Sequence, residues 1–161
     1  MDIEYRKLLP QESVLYRKIR LESLKMFPEA FETTYQEAMK TEKLRLETDI
    51  EAQTFGRFVF GAFSDQELIG ICTFIKENNN TGSLYQMYVK TGYQGNSIGY
   101  GLITTLIRET ERQYEGIEIF LEVKSRALKA YHLYKKIGFK EEKNINKKED
   151  SSGSIMMKYS P

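Results

Sequence analysis

The chain has 161 residues, of which 40% are hydrophobic and 29% are charged, and this composition is typical of a globular domain with its own core. Lys and Arg number 24 against 23 for Asp and Glu, so the chain lacks the excess of positive charge that a general nucleic-acid or anionic-membrane binder needs. We therefore predict one domain over residues 1–161 that binds neither nucleic acid nor a membrane.

Two single residues limit the chemistry further. Cys72 is the only cysteine and lies in an apolar run, so we interpret it as a small buried hydrophobic residue rather than a nucleophile. His132 is the only histidine, which leaves no set of His and Cys ligands for zinc, and we expect no metal. The chain starts without the apolar stretch of a signal peptide, and we expect a cytoplasmic protein.

The first half of the chain predicts helices followed by an antiparallel meander. A short strand over 3–8 precedes a helix over 11–26 that Pro28 ends, and a charged stretch over 34–53 is helical in one or two pieces. Three strands rich in apolar residues then follow one another through short turns, over 57–63, 67–77 and 83–90.

The pattern changes in the second half. Four glycines crowd residues 92–101, and from Ile98 the apolar residues fall on one face of a helix. A clear strand over 117–123 follows, which makes a βαβ unit with two parallel strands. Ser125 is a candidate N-cap for a last helix that Gly138 would stop, and strands over 140–146 and 154–159 would close an α/β domain with a mixed sheet.

The glycine turn is the first candidate site. Glycines between a strand and a helix let a ligand approach the backbone, and the first helical turn offers free N–H groups to a phosphate. The spacing fits neither the Rossmann fingerprint nor the P-loop. The pattern leaves open whether the glycines bind an anion or only permit close packing. The turn reads Gln94-Gly95-Asn96-Ser97-Ile98-Gly99-Tyr100-Gly101.

This turn resembles the Gln/Arg-x-x-Gly-x-Gly/Ala signature of the GNAT superfamily of N-acetyltransferases, with Ser97 in the place of its first glycine. A second segment, Leu133 to Phe139, is similar to the family's Leu-Tyr-x-x-x-Gly-Phe ending. Ala127 stands where the family usually has an asparagine that contacts the cofactor. The two motifs occur in the family's order, about forty residues apart.

The resemblance implies a GNAT-like α/β fold, with a mixed and mostly antiparallel sheet of about six to seven strands, flanking helices, and strands four and five parallel and splayed. It also implies acetyl-coenzyme A as cosubstrate, with its pantetheine arm on strand four and its pyrophosphate at the glycine turn. The residues that the resemblance assigns to the cofactor are Met87, Tyr88, Val89, Gln94, Gly95, Asn96, Ser97, Ile98, Gly99 and Tyr100.

The implied reaction transfers the acetyl group to a primary amine of a small molecule, peptide or protein by direct attack in a ternary complex. Tyr134 would be the general acid, with Tyr131 a weaker candidate. Glu122 is our candidate for the base, and Glu118 and Glu77 stay open as alternatives. A backbone N–H of strand four would polarise the thioester carbonyl.

Two further implications concern partners. Phe31 and Tyr35 are candidates to line the acceptor pocket, and a homodimer is the state of many relatives. A non-catalytic acyl-coenzyme A binding module is the alternative function, because the departures at Ser97 and Ala127 leave room for it.

Overall fold

The computed structural model describes residues 2–78, 80–142 and 153–161. Its seven strands are β1 (Ile3–Lys7), β2 (Arg57–Ser64), β3 (Glu67–Lys76), β4 (Thr81–Val89), β5 (Glu118–Lys124), β6 (Phe139–Glu141) and β7 (Ser154–Tyr159). Its five α-helices are α1 (Ser13–Met26), α2 (Tyr35–Lys40), α3 (Arg45–Ala52), α4 (Ile98–Gln113) and α5 (Leu128–Ile137).

The strands form one sheet in the order β1-β2-β3-β4-β5-β7-β6. Only β4 and β5 run parallel, joined through α4, and every other neighbouring pair is antiparallel. The predicted mixed sheet with parallel fourth and fifth strands is therefore confirmed.

Both faces of the sheet are covered, which explains why β2 and β3 read as continuous apolar runs. On one face, α4 packs on β1 to β4 and α5 packs on β5 and β6, and α4 supplies the apolar stripe Ile98, Leu102, Ile103, Leu106 and Ile107. On the other face, α1 and α3 pack on the central strands through Tyr16, Ile19, Leu46 and Ile50. In the described ranges, no helix combines the length and apolarity that a membrane crossing requires.

Two sequence predictions differ from the structure in detail. Ser125 does not cap the last helix, because the chain turns from Lys124 to Ala127, whose N–H donates to the Lys124 carbonyl at 2.9 Å, and α5 begins only after Ala127. The backbone N–H of Ser125 donates to the carbonyl of Gly153 at 2.7 Å. The strand predicted over 140–146 ends at Glu141, and its remainder from residue 143, like the predicted turn at residues 151 and 152, lies outside the described residues.

Candidate active site

The site lies where two parallel strands separate. β4 and β5 share only four residue pairs, from Thr81 with Glu118 to Leu84 with Leu121. Beyond these pairs β5 continues against β7, while residues 85–89 of β4 pair only with β3. One edge of β4 is thus left without a partner strand among the described residues. The splay that the resemblance implied is confirmed.

A β-bulge marks the point of separation. The β3–β4 register passes from Thr73 opposite Tyr85 to Ile71 opposite Tyr88, which inserts an extra residue in β4. Gln86 adopts a positive φ of 55° at this bulge. Its side-chain oxygen accepts a 2.7 Å hydrogen bond from the hydroxyl of Tyr16 on α1. The bulge is therefore tied to the helix that covers this face of the sheet.

The gap opens into a cavity of about 440 Å³ that reaches both faces of the sheet. Gln86 and Met87 of β4 and Glu122 of β5 line its two sides. Tyr88 and Val89 point elsewhere, with Tyr88 donating to Glu22 at 2.6 Å, so only their backbone can face a ligand in the gap. Of the two predicted acceptor-pocket residues, Phe31 lines the cavity, whereas Tyr35 packs beneath the ammonium group of Lys25.

Tyr134 places its side chain in this cavity from α5. It is 9% exposed, and its hydroxyl makes no hydrogen bond with any described residue. Burial, and then the neighbouring Cys72, raise the pKa of Tyr134 above its ordinary value. The phenol is therefore protonated at neutral pH and can donate a proton into the gap. Tyr131 instead donates to Glu141 outside the cavity.

The three candidate bases differ in their surroundings. Glu118 pairs with Lys158 at 2.5 Å, and Glu77 accepts hydrogen bonds from Ser83 and Tyr85, both at 2.6 Å. Neither of these carboxylates lines the cavity. Glu122 does line it and is exposed, so it is the candidate whose position fits proton removal from an amine there.

Free backbone amides gather where α4 begins. The first hydrogen bond of this helix runs from the Gly101 N–H to the Ser97 carbonyl at 3.1 Å, and no described residue accepts from the backbone amides of residues 95–100. Gly95 and Ser97 both have positive φ, 85° and 60°, which turns the chain sharply before the helix. Ser97 thus adopts the left-handed conformation in which glycine is favoured, and its hydroxyl does not cap the helix.

Two other glycines of the turn serve packing. A Cβ at Gly99 would lie 2.9 Å from the end of Met87 and 3.2 Å from Leu133. A Cβ at Gly101 would lie 2.4 Å from the ring of Tyr5. Close packing therefore accounts for Gly99 and Gly101, whereas the free amides around Gly95 and Ser97 have a geometry that suits an anion.

The remaining side chains of the turn hold its shape. Gln94 donates to the carbonyl of Val89 at 2.9 Å, and Asn96 donates to the carbonyl of Tyr93 at 3.1 Å. Ile98 is buried in the core, so only its backbone N–H is available.

Tyr100 is half-exposed beside the turn, and the ammonium group of Lys136 lies 5.6 Å from its ring. Lys136 is a cation near this residue of the turn, and the sequence patterns had not singled it out. A lysine within the Leu-Tyr-x-x-x-Gly-Phe segment was its only signal.

These features fit the parts of acetyl-coenzyme A. The amides at the start of α4 suit a pyrophosphate. The unpaired edge of β4 suits an extended arm that carries two amides. Ala127 lines the cavity without offering the side-chain contact that an asparagine would.

Sequence reasoning missed one more cavity residue. Arg20 of α1 is 6% exposed and lines the cavity. Its signals were a basic residue on the apolar face of a helix and the likeness of residues 20–24 to the first helix of many GNAT members, neither of which assigns it a role. Cys72 is fully buried, as predicted, but it also contributes to the cavity wall.

Known structures resemble the whole chain. The PaiA N-acetyltransferase from Thermoplasma acidophilum, solved in complex with coenzyme A, is 25% identical over 100% of both chains, with a TM-score of 0.78. A GNAT-family acetyltransferase from Streptococcus pneumoniae has 18% identity over 98% of both chains and a TM-score of 0.72. The ribosomal-protein-S18-alanine N-acetyltransferase from Escherichia coli has 18% identity over 99% of this chain and 96% of its own, with a TM-score of 0.68.

No curated protein sequence gave a significant match. The sequence profile of the acetyltransferase (GNAT) family matches residues 19–139, which is most of the chain. This match confirms the predicted fold, the class of enzyme and acetyl-coenzyme A as the family's acyl donor. The chain belongs to the acetyltransferase (GNAT) family.

Proposed function

We propose that residues 1–161 form a single domain that transfers the acetyl group of acetyl-coenzyme A to a primary amine of a small molecule, peptide or protein, by direct attack in a ternary complex. The observation that carries the proposal is the gap between β4 and β5, which opens on a cavity containing the Tyr134 hydroxyl. Acetyl-coenzyme A is a cytoplasmic metabolite, and we place the activity in the cytoplasm.

The bound cosubstrate would follow the free surfaces of the turn and of β4. The amides of residues 95–100 would hold the pyrophosphate, with Gly95 and Ser97 keeping them turned outward. The backbone from Met87 to Val89 would pair with the pantetheine arm along the edge that β5 leaves open. An N–H beside the bulge would donate to the thioester carbonyl oxygen, where negative charge develops during attack.

The proposed reaction forms a C–N bond and breaks the C–S bond of the thioester. Glu122 takes a proton from the attacking ammonium group, directly or through a water molecule, because an alkylamine with a pKa near ~10 is protonated at neutral pH. Tyr134 gives its proton to the sulfur as it leaves. The nitrogen loses its second proton as the amide forms and returns it to the Tyr134 phenolate, while Glu122 releases its proton to water. The products are the N-acetylated amine and free coenzyme A thiol.

The state of Cys72 supports direct attack over an acyl-enzyme route. Its thiol lines the cavity, and burial raises its pKa to about 12. A thiol with this pKa stays protonated at neutral pH and is a poor nucleophile. No activated cysteine is therefore available to accept the acetyl group before the amine does.

A screen of amines that follows release of coenzyme A thiol tests the proposal, with polyamines, aminoglycosides, amino acids and peptide N-termini as acceptors. With the accepted amine, Tyr134→Phe should lower kcat on the order of a hundredfold or more, and calorimetry should show unchanged acetyl-coenzyme A affinity. Tyr131→Phe is the matched control on the same helix and should retain activity.

Glu122→Gln and Glu118→Gln separate two of the candidate bases. Only the Glu122 variant should lose turnover, because the Glu118 carboxylate is paired outside the cavity. Tight acetyl-coenzyme A binding without turnover of any amine would contradict the proposed reaction and favour the non-catalytic binding module. No binding at millimolar acetyl-coenzyme A would contradict the proposed cosubstrate site as well.

A further inference from the structure

The buried arginine of the cavity wall has no partner of opposite charge. The guanidinium of Arg20 has one side-chain hydrogen bond, a 3.5 Å contact to Ser23, and the ring of Phe31 lies 4.4 Å from its centre. Among the described residues no carboxylate oxygen comes within ion-pair distance of it, and burial lowers its pKa.

Arg17, one turn earlier on α1, has the charged and polar partners that Arg20 lacks. It pairs with Glu47 at 2.8 Å and donates to the carbonyl of Thr41 at 2.8 Å. A buried cation without such partners is costly, and an arginine keeps its charge in proteins. Apart from its contact to Ser23, the guanidinium of Arg20 therefore has unused N–H groups in the cavity wall, and an anion bound in the cavity would supply the missing partner.

The position of Arg20 indicates which anion this is. None of residues 94–100 lines the cavity, so the amides that suit the pyrophosphate lie away from it. Arg20 shares the cavity instead with Tyr134 and Glu122, the proposed acid and base. A guanidinium matches a carboxylate with two parallel hydrogen bonds.

The cavity has room for a small acceptor. Its volume of about 440 Å³ can take the acetyl end of the cosubstrate together with a small amine.

We propose that Arg20 binds the carboxylate of a small acceptor that carries both an amine and a carboxylate, so that the enzyme acetylates an amino acid. This inference rests on the proposed acetyl transfer and specifies its substrate class. Arg20 fixes one end of the acceptor while the amine at the other end faces the thioester.

Matched acceptors test the inference on the unaltered protein. Three pairs of acceptors differ only by loss or masking of the carboxylate. They are lysine with cadaverine, ornithine with putrescine, and glycine with glycinamide. We expect the carboxylated member of at least one pair to have a kcat/KM roughly ten- to a hundredfold higher, which is the range for a hydrogen-bonded charge. Equal rates within every pair, or turnover of peptide N-termini alone, would overturn the inference while acetyl transfer itself would stand.

Variants then test whether Arg20 is responsible. Arg20→Gln should raise the KM for the preferred amino acid at least tenfold, abolish the preference within the pair and leave acetyl-coenzyme A affinity unchanged. Arg20→Lys should restore part of the preference. Arg17→Gln, the control from the same helix, should keep the preference.

Thermal denaturation separates the role of Arg20 from a structural one. Arg20→Gln should melt at or above the temperature of the parent, because it removes an unpaired buried charge, whereas Arg17→Gln breaks an ion pair and should melt lower. A weaker affinity of Arg20→Gln for acetyl-coenzyme A, with an unchanged acceptor KM, would overturn the inference by assigning Arg20 to the cosubstrate. Failure of the parent protein to bind acetyl-coenzyme A would overturn the proposed function together with it.

Discussion

Gly101 and Tyr5 lie so close that a single methyl group does not fit between them. A Cβ at Gly101 would approach the ring and hydroxyl of Tyr5 to 2.4 Å. The glycine therefore lets the first turn of α4 pack against β1, at the edge of the sheet. This contact fixes the direction in which the helix begins, and so the direction in which its free amides point.

Gly101→Ala should destabilise the protein by up to about 2 kcal/mol, because the added methyl must displace the ring of Tyr5 at a cost of about 1–3 kcal/mol, of which the helix propensity of alanine returns about 1 kcal/mol. Chemical denaturation measures the change. Gly92→Ala is the matched control, since a Cβ there meets nothing within 4 Å, and it should stay within about 0.5 kcal/mol of the parent. Equal stability of the two variants would contradict the packing role of Gly101.

Ser97→Gly should stabilise the protein by roughly 0.5–1 kcal/mol, because serine pays a steric penalty at a φ of 60° that glycine avoids. A rise of about 2 °C in melting temperature would correspond to this gain.

Ser97→Ala separates the backbone from the hydroxyl at this position. It keeps a side chain in the left-handed conformation and removes only the hydroxyl group. If the alanine variant were as stable as the glycine variant, the strain would not lie in the backbone.

Cys72 should react slowly with alkylating reagents near neutral pH. With a pKa of about 12, raised by burial, only about one thiol in ten thousand is ionised at pH 8. The thiolate fraction rises as pH increases towards 12, so the iodoacetamide rate should increase about tenfold per pH unit, as mass spectrometry can follow. A rate that levels off near pH 9 would show an ordinary thiol.

Cys72→Ala tests whether the reaction passes through an acyl-enzyme on Cys72. A direct transfer should keep most of its kcat in this variant, although removal of a fully buried side chain lowers stability. Loss of activity by several orders of magnitude in a folded variant would favour an acyl-enzyme on Cys72.

Lys136→Glu should weaken acetyl-coenzyme A binding, because it reverses a charge next to Tyr100 in the first turn of α4. Calorimetry at low and high salt measures the effect, which should shrink as salt screens the charge. Lys18→Glu makes the same change at an exposed position on α1, on the other face of the sheet, and should leave the affinity unchanged. Equal effects of the two variants would remove Lys136 from the phosphate site.

The order of the helices and strands could be predicted because each has a recognisable local sequence pattern. The helical stripe that begins at Ile98 and the apolar run of β3 are both visible in the sequence, and the parallel pairing followed from the βαβ unit. The N-cap prediction at Ser125 was wrong because the chain turns from Lys124 to Ala127 before α5 begins, with the Ser125 N–H bonded to Gly153 of a distant segment. No local pattern carries that information.

The site was only partly visible in the sequence for the same reason. The motifs pointed to the turn and to Tyr134, and the residues assigned to the cosubstrate stay predictions until binding is measured. What distinguishes Arg20 from Arg17 is the presence of Glu47 from α3 beside only one of them. Such a difference arises from tertiary packing, and the helix that carries both arginines shows nothing of it.

The separation of β4 from β5 also bears on how quickly the protein is degraded in the cell. Its sheet consists of two halves held together at the backbone by four residue pairs. A pantetheine arm bound in the gap would add hydrogen bonds between them, and a ligand that binds only the folded state raises the free energy of unfolding by RT ln(1 + L/Kd), where L is the free ligand concentration. When acetyl-coenzyme A is scarce, the unbound protein should open locally between β4 and β5 and become more susceptible to proteases than the bound protein. Its abundance would then follow the supply of its own cosubstrate.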